Sequence, residues 1–306
     1  LDQPVEMKTQ QDLHVATPVR ESLALTKLAG TSIYLKLDSS QPTGSFKIRG
    51  LGHLCKTAKR GYERFVCCSG GNAGMAAAYS ARKLGVPATI IVPNVTPNIT
   101  VEKMRDEGAT VIIHGKLAFV YKGKATHLWR SSKELEHDLK EKPGAIVLSV
   151  GGGGLLNGVV EGLRRANWAD VPVVAMETMG AHSLHAAMEA GEHVTLPAIT
   201  SVATTLGVAK VSAQTMKLSQ EHPILSEVVT DQEAVKAVER FVDDEKILVE
   251  PACGAALAAV YSGIITRLRD ERKLPQHLGP VVIVVCGGNN ISLEQLDKLK
   301  KQLGII

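Results

Sequence analysis

The sequence predicts an α/β fold, in which parallel strands alternate with helices around open, doubly wound sheets. Short runs rich in valine and isoleucine recur along the chain and are separated by longer stretches with helical periodicity. These runs are apolar at nearly every position, as is typical of strands covered on both faces of a parallel sheet. Because 306 residues exceed the size of one ordinary core, we expect two lobes.

The individual elements can be placed from these patterns. Strands are predicted over residues 32–37, 64–68, 88–93, 110–113, 145–150, 171–176 and 280–286. Helices are predicted over residues 74–85, 155–166, 181–190, 232–244 and 255–272, and another helix begins near Ser45. Ligands of open α/β sheets bind beyond the carboxyl ends of the strands, so a functional site is expected in the turns after the strands.

Composition favours a small-molecule partner in a reducing compartment. Lysine and arginine total 35 against 31 aspartate and glutamate, and only 4% of residues are aromatic. A nucleic-acid-binding protein would need a basic stripe with interleaved aromatics, so no nucleic acid is expected. The five cysteines show no C-x-x-C spacing, which argues against a disulfide framework or a zinc site and for the cytoplasm. No apolar run has the length of a membrane span, so no membrane partner is expected either.

Lys47 follows a Pro-Thr-Gly turn and lies in the first turn of a predicted helix. The partial positive charge of a helix N-terminus disfavours an ammonium there and lowers its pKa. A lysine with a lowered pKa is a good nucleophile. The alternative is an ordinary surface lysine at a helix start.

Two glycine-rich turns could each hold an anion. The first turn offers backbone N–H groups, a hydroxyl and an amide that suit a carboxylate, and it consists of Ser69, Gly70, Gly71, Asn72 and Ala73. Gly151, Gly152, Gly153, Gly154 and Leu155 join a strand to a helix and suit a phosphate. Plain glycine-rich turns would look the same. Glu177 ends the next strand, where a nicotinamide-binding fold would place its ribose ligand, although the glycine spacing is not G-x-G-x-x-G.

Cys286 ends the most hydrophobic predicted strand and precedes Gly-Gly-Asn-Asn. A thiol at that place can fill the core, accept a hydrogen bond or act as a nucleophile. The sequence offers no histidine or lysine beside it to form a thiolate, which disfavours the nucleophile.

Together these four loops resemble the serine/threonine dehydratases, the L-serine/L-threonine ammonia-lyases among fold-type II pyridoxal-phosphate enzymes. The resemblance extends from about His14 to Gly304 and implies a tryptophan synthase β-like fold, with the cofactor between two lobes. It also implies a homodimer. The smaller lobe is expected over residues 48–140 and the larger over 1–47 and 141–306.

The resemblance also implies a role for each motif. Lys47 would form the Schiff base with pyridoxal phosphate and take the α-proton, with Phe46 packed on the ring. Asn72 would bind the ring's 3′-oxygen, and Cys286 would face the ring nitrogen. The four glycines and Leu155 would cradle the phosphate, and Ser69 to Ala73 would bind the substrate. A monovalent cation, expected to be potassium, would be held by Gly151, Glu177, Ala181, Ser183, Leu206 and Val208.

The implied reaction is β-elimination, which converts serine to pyruvate and ammonia, and threonine to 2-oxobutanoate and ammonia. Racemases of the family carry serine where this chain has Gly70, so racemisation is disfavoured. Dehydratases often have alanine there, so Gly70 is expected to open the pocket by one methyl. A cofactor-binding relative without turnover stays possible, because residues 116–142 depart from the family pattern. The segment from Glu250 to Ala256 is interpreted as packing.

Overall fold

The computed structural model describes residues 12–58, 61, 63–115, 131–139 and 141–305. Their strands are β1 (Val19–Glu21), β2 (Ile33–Lys36), β3 (Phe65–Cys68), β4 (Ala88–Val92), β5 (Thr110–Ile113), β6 (Ala145–Ser149), β7 (Val173–Thr178), β8 (Ile224–Val229) and β9 (Val281–Val284). Their helices are α1 (Leu23–Ala29), α2 (Lys47–Ala58), α3 (Asn72–Leu84), α4 (Asn98–Asp106), α5 (Ser131–Asp138), α6 (Gly154–Arg165), α7 (Ser183–Ala190), α8 (Ala213–Glu221), α9 (Asp231–Glu245), α10 (Pro251–Tyr261), α11 (Ile264–Asp270) and α12 (Leu293–Gln302).

The strands form two separate sheets, which confirms the predicted fold class. The larger sheet has the order β1-β2-β9-β6-β7-β8, and the smaller has the order β3-β4-β5. All neighbouring strands are parallel except β1 and β2. Parallel neighbours require a crossover of a dozen or more residues, which is why helices alternate with the strands.

The seven predicted strands are confirmed, with boundaries that shift by up to two residues. The short edge strand β1 and the strand β8 were not predicted, nor were α1, α4, α5, α8 and α12. The helix predicted over residues 255–272 is wrong as a single element. It is two helices, α10 and α11, bent by 45° with Gly263 at the junction in the left-handed region (φ +72°).

Each sheet has its own hydrophobic core. The larger core surrounds β6, β7 and β9 and contains nearly every residue of α10. The smaller core is built from alanine-rich α3 against β4, with Met75, Ile90 and Met104 among its buried side chains. Such small side chains let a helix approach the strand closely, in keeping with the alanine runs of the sequence.

Helix α5 lies against α6, and its Leu135 is buried in the larger core. The boundaries of the two lobes stay predictions. The divergent segment 116–142 falls mainly outside the described residues, since 116–130 and 140 are not among them. No single helix in the described ranges is long and apolar enough to cross a membrane, and only the bent pair α10 and α11 reaches that length and composition together.

The sheet order decides where the site lies. Strands β2, β9, β6 and β7 are consecutive neighbours and parallel, so their carboxyl ends form one edge. The segments after β2, β9 and β6 carry Lys47, Cys286 and Gly151 respectively, and β7 itself carries Glu177 one residue before its end. Motifs separated by more than 200 residues in sequence are therefore brought to a single edge of one sheet.

Candidate active site

Lys47 is the first residue of α2, and the loop before it is joined to the end of β9. The Phe46 N–H donates to the carbonyl oxygen of Cys286 (2.9 Å), and Ser45 forms an isolated antiparallel bridge with Gly287. Phe46 is partly buried and packs against the larger core. Lys47, Phe46 and Cys286, predicted to hold one cofactor, therefore lie close together.

The surroundings of Lys47 favour its neutral amine. Burial lowers the pKa of Lys47, and the nearby Glu250, Cys286 and Cys67 oppose that change only in part. Taking a charged group out of water disfavours the charged form, so more of the amine carries a lone pair at neutral pH. The direction is the one predicted from the helix N-terminus, and burial is a cause that the sequence did not reveal.

Two residues beyond Lys47, Arg49 is held in a buried cluster of charges. Its guanidinium, 2% exposed, donates to Asp38 (2.8 and 3.0 Å) and to Glu134 (2.8 and 3.0 Å). Lys36 also donates to Glu134. Burial would raise the pKa of Glu134, but its hydrogen bonds to Arg49 and Lys36 outweigh burial and lower it. The cluster joins α2 to β2 and α5, and so fixes the helix on which Lys47 stands.

The four glycines predicted to cradle a phosphate form the turn from β6 into α6. Gly153 has φ +87°, and a Cβ built there would lie 1.9 Å from Thr215 Oγ1. A Cβ at Gly152 would meet nothing closer than the Val208 side chain at 3.8 Å. Gly154 and Leu155 begin the helix, where backbone N–H groups without helical acceptors can bind an anion.

The predicted substrate loop connects β3 to α3. Its Gly71 is the N-cap of α3, and Asn72 is the first helical residue. The expectation that Gly70 opens the pocket by one methyl is wrong. A Cβ at Gly70 would lie 2.2 Å from Thr96 Oγ1 and 3.1 Å from Pro93 Cδ, so the loop after β4 already fills that space.

Asn72 reveals a residue whose importance the sequence did not show. Its Nδ2 donates to both carboxylate oxygens of Glu250 (2.9 and 3.1 Å), while its Oδ1 is buried without a hydrogen-bond partner among the described residues. Glu250, interpreted as part of a packing segment, is thus in direct contact with a predicted cofactor ligand. A glutamate directly before a buried, alanine-rich helix was the available signal, since buried carboxylates need partners.

Cys286 is buried beside the thiol of Cys253, which is also buried. This neighbour and burial raise the pKa of Cys286 well above its ordinary value. The thiol is therefore neutral at pH 7, which argues against a nucleophilic thiolate.

The residues predicted to hold a cation gather at the ends of β6 and β7. Glu177 is fully buried, and its carboxylate accepts the N–H groups of Leu184 (2.9 Å) and His185 (2.7 Å) at the start of α7. Burial raises the pKa of Glu177 to about 7, although these two N–H groups oppose the change. The hydroxyl of Ser183 is buried without a partner among the described residues.

The remaining predicted cation ligands lie beside this group. A Cβ at Gly151 would be 3.3 Å from the carbonyl oxygen of Leu206, and the Val208 N–H donates to that same oxygen (2.7 Å). Ala181 is buried just before α7. Carbonyl oxygens with one carboxylate and one hydroxyl are ligands suited to a hard cation, and the described ranges contain no group of three or more His, Cys, Asp and Glu that could hold a metal.

The donor set also fits pyridoxal phosphate. Three suitable groups lie at one sheet edge: the Lys47 amine with its lowered pKa, the glycine turn at the N-terminus of α6, and the neutral thiol of Cys286. Two buried polar atoms have no hydrogen-bond partner in the described part of the chain: Asn72 Oδ1 at the start of α3 and Ser149 Oγ at the end of β6. Unpaired buried polar atoms are costly in a finished core, and they are expected where a polar ligand binds.

Known proteins are similar to this chain in sequence and in fold, as the motifs predicted. A family described as pyridoxal-phosphate dependent enzyme matches residues 11–128 and 130–287. The L-serine dehydratase/L-threonine deaminase of Mus musculus is 60% identical over an alignment 322 positions long, which covers 98% of each chain. The serine dehydratase-like protein of Mus musculus is 52% identical, with 96% of each chain covered. The crystal structure of a fungal L-serine ammonia-lyase from Rhizomucor miehei has a TM-score of 0.87 at 37% identity and covers 95% of this chain and 99% of that one.

Proposed function

We propose, from the premise that this chain belongs to the family of pyridoxal-phosphate-dependent enzymes, that it deaminates L-serine and L-threonine. The products are pyruvate and ammonia from serine, and 2-oxobutanoate and ammonia from threonine. The observation that carries the proposal is Lys47, whose pKa is lowered by burial and which lies beside the neutral thiol of Cys286. The relatives named L-serine dehydratase/L-threonine deaminase support the choice of substrates.

The cofactor would be held by Lys47, Asn72, Cys286 and the glycine turn from Gly151 to Gly154. Bound pyridoxal phosphate supplies the electron sink that stabilises negative charge at the α-carbon of an amino acid. The amine of Lys47 would hold the cofactor and, when free, would act as the base toward the α-proton of the substrate. A lowered pKa helps both tasks, because each requires an unprotonated amine.

The neutral thiol of Cys286 would influence the fate of the substrate after the α-proton is removed. A thiol with a raised pKa is a poor proton donor, and it carries no negative charge that would keep a ring nitrogen protonated. Facing this neutral thiol, a bound cofactor would withdraw electrons from the α-carbon less strongly than it would opposite a carboxylate. This would favour loss of the β-hydroxyl over reprotonation at the α-carbon, and hence deamination over racemisation.

The substrate would bind at the turn from Ser69 to Ala73, where Gly71 is the N-cap of α3. Backbone N–H groups at the start of α3 offer donors for its carboxylate. Because Thr96 occupies the space next to Gly70, that glycine supplies backbone to the loop and leaves no cavity for a side chain.

A monovalent cation would complete the site beneath the phosphate turn. The unpaired hydroxyl of Ser183, the buried carboxylate of Glu177 and the Leu206 carbonyl beside Gly151 support it. A cation there would neutralise Glu177, whose charge burial otherwise disfavours, and would stiffen the turn that binds the phosphate.

The test is borohydride reduction of the enzyme loaded with pyridoxal phosphate, followed by peptide mapping and an assay of keto-acid formation from serine and threonine. We expect the label on Lys47. Lys47→Ala should lose the label and all deamination, whereas the control Lys56→Ala on the same helix should keep both. A stable label on another lysine would contradict the assignment. A label on Lys47 without any keto acid would identify a cofactor-binding relative that lacks turnover.

A further inference from the structure

Glu250 is a carboxylate that reaches both sides of the site. It is 3% exposed. It accepts hydrogen bonds from Asn72 Nδ2 at the start of α3, from Thr205 Oγ1 (2.8 Å) and from the N–H of Asn290 (2.9 Å), beyond β9. Asn72 follows a strand of the smaller sheet, whereas Asn290 follows a strand of the larger one. A single side chain therefore ties the predicted 3′-oxygen ligand to the segment after Cys286.

The backbone holds Glu250 firmly at this place. It is the N-cap of α10, and its carbonyl oxygen accepts the N–H groups of Cys253 (2.8 Å) and Gly254 (2.9 Å). Its own N–H donates to Gly287 O (3.2 Å). Because α10 is buried in the larger core, the carboxylate has little freedom to move away from Asn72.

The contact also decides which way the amide of Asn72 points. An ionised carboxylate only accepts hydrogen bonds, so Nδ2 and not Oδ1 must face Glu250. The two oxygens of one carboxylate lie too close together for both diverging N–H bonds of an amide to point at them well. One N–H of Asn72 is then shared between the oxygens, and the second stays available for a ligand.

We propose that Glu250 is a positioning residue for the cofactor: by fixing the amide of Asn72, it keeps one N–H directed to the cofactor's 3′-oxygen. The inference rests on the proposed function, because it needs pyridoxal phosphate as the ligand. It assigns Glu250 an effect on the cofactor that passes through Asn72, with no contact of its own to the reacting atoms. Its negative charge near Lys47 is a separate influence, which opposes the effect of burial on that amine.

Glu250→Gln preserves the shape of the side chain and tests this role. The N–H of Asn290 can only donate, so the remaining carbonyl oxygen of the glutamine stays toward Asn290, and the NH2 group takes the place of the oxygen that faces Thr205 and Asn72. The Thr205 hydroxyl can turn to accept from this NH2 group, but the Nδ2 of Asn72 then has one neutral acceptor in place of two carboxylate oxygens. The amide of Asn72 should therefore be held less firmly, and its N–H should be directed less well to the cofactor.

The experiment measures the Kd of pyridoxal phosphate by equilibrium dialysis with cofactor-free protein, in a double-mutant cycle of Glu250→Gln and Asn72→Ala. We expect Glu250→Gln alone to raise Kd about tenfold, which is about 1.4 kcal/mol. In the Asn72→Ala background the same change should alter Kd less than about twofold, because the residue through which Glu250 acts is gone. The control Thr205→Val removes one hydrogen bond to Glu250 without touching Asn72, and should stay within about threefold of the unchanged protein.

One further readout separates positioning from a structural role. The Tm of each cofactor-free variant reports stability, so a role limited to holding the fold together would lower Tm and raise Kd equally in both backgrounds. A lower Tm with an equal rise of Kd in both backgrounds would overturn the role of Glu250 and leave the proposed function intact. An unchanged Kd in Glu250→Gln, when the parent protein binds the cofactor, would do the same. Failure of the parent protein to bind pyridoxal phosphate would overturn the proposed function, and the inference with it.

Discussion

The phosphate turn makes a quantitative prediction, because two neighbouring glycines differ sharply in the atoms that a methyl group would meet. Gly153 has φ +87°, where a residue with a Cβ is disfavoured by about 1–2 kcal/mol. Its Cβ would also lie 1.9 Å from Oγ1 and 2.5 Å from Cγ2 of Thr215. Overpacking of this kind costs about 1–3 kcal/mol. Gly153→Ala should therefore lower the free energy of unfolding by about 2–5 kcal/mol.

Gly152→Ala is the matched control. A Cβ there would be in ordinary contact with Val208 at 3.8 Å, and its φ is not in the left-handed region. The change should cost less than about 1 kcal/mol, and restriction of the unfolded chain can make it slightly stabilising. Both variants replace a glycine by alanine in the same turn before α6. They differ only in the backbone conformation at the glycine and in the atoms that the new methyl group meets.

Urea unfolding of the cofactor-free variants, followed by fluorescence, measures the difference directly. The m-value should stay constant, since a changed slope would show that the surface exposed on unfolding has changed or that two-state unfolding has been lost. Thr215→Ala should remove part of the clash and make Gly153→Ala less costly in the double variant. Equal stability of Gly153→Ala and Gly152→Ala would refute the reasoning.

Three further predictions concern the surroundings of the site. The lowered pKa of Glu134 means that its contribution to stability is present above its ordinary pKa of 4.5 and is lost as pH falls through the lower value of the folded state. Glu134→Gln should thus destabilise at neutral pH by about 1–3 kcal/mol and reduce acid sensitivity, as urea titrations at several pH values would show; an unchanged pH slope would contradict the pKa assignment. Cys286→Ser should keep most keto-acid formation, since a neutral hydrogen-bonding group remains, and near-complete loss would instead indicate a nucleophilic thiol. Replacing potassium with tetramethylammonium should lower Tm, and Ser183→Ala should diminish that difference; identical melting in both salts would exclude the cation site.

Much of the fold could be predicted from local pattern. The Val/Ile runs identified seven strands. Strands β6, β7 and β9 are buried on both faces and are therefore apolar nearly throughout. Strands β3 and β5 are apolar as well, although their residues are half-buried or exposed. Strand β8 was missed because its sequence, Ile-Leu-Ser-Glu-Val-Val, includes a polar pair, and β1 because three residues at a sheet edge carry little signal. The break at Gly263 was also missed, since an apolar run on both sides conceals a change in helix direction.

In the site, too, residues with a local sequence signal were recognised, and residues whose role depends on distant contacts were not. Lys47, the glycine turn and Cys286 were recognisable because their chemistry is local: each needs a particular residue type at a strand end or helix start. Glu250 was not, because its role depends on Asn72, 178 residues away in the chain. The space beside Gly70 was misjudged for a similar reason, since Thr96 belongs to the loop after a different strand.

The sequence by itself thus determined the fold class and the family and supplied the predicted site residues, since periodicity, turn composition and functional motifs are properties of neighbouring residues. Only the tertiary structure decided which side chains meet: the burial that lowers the pKa of Lys47, the clamp of Arg49 between Asp38 and Glu134, and the hold of Glu250 on Asn72. Burial and hydrogen-bond partnership arise where distant segments pack together, and the parallel order of β2, β9, β6 and β7 brings those segments to one edge.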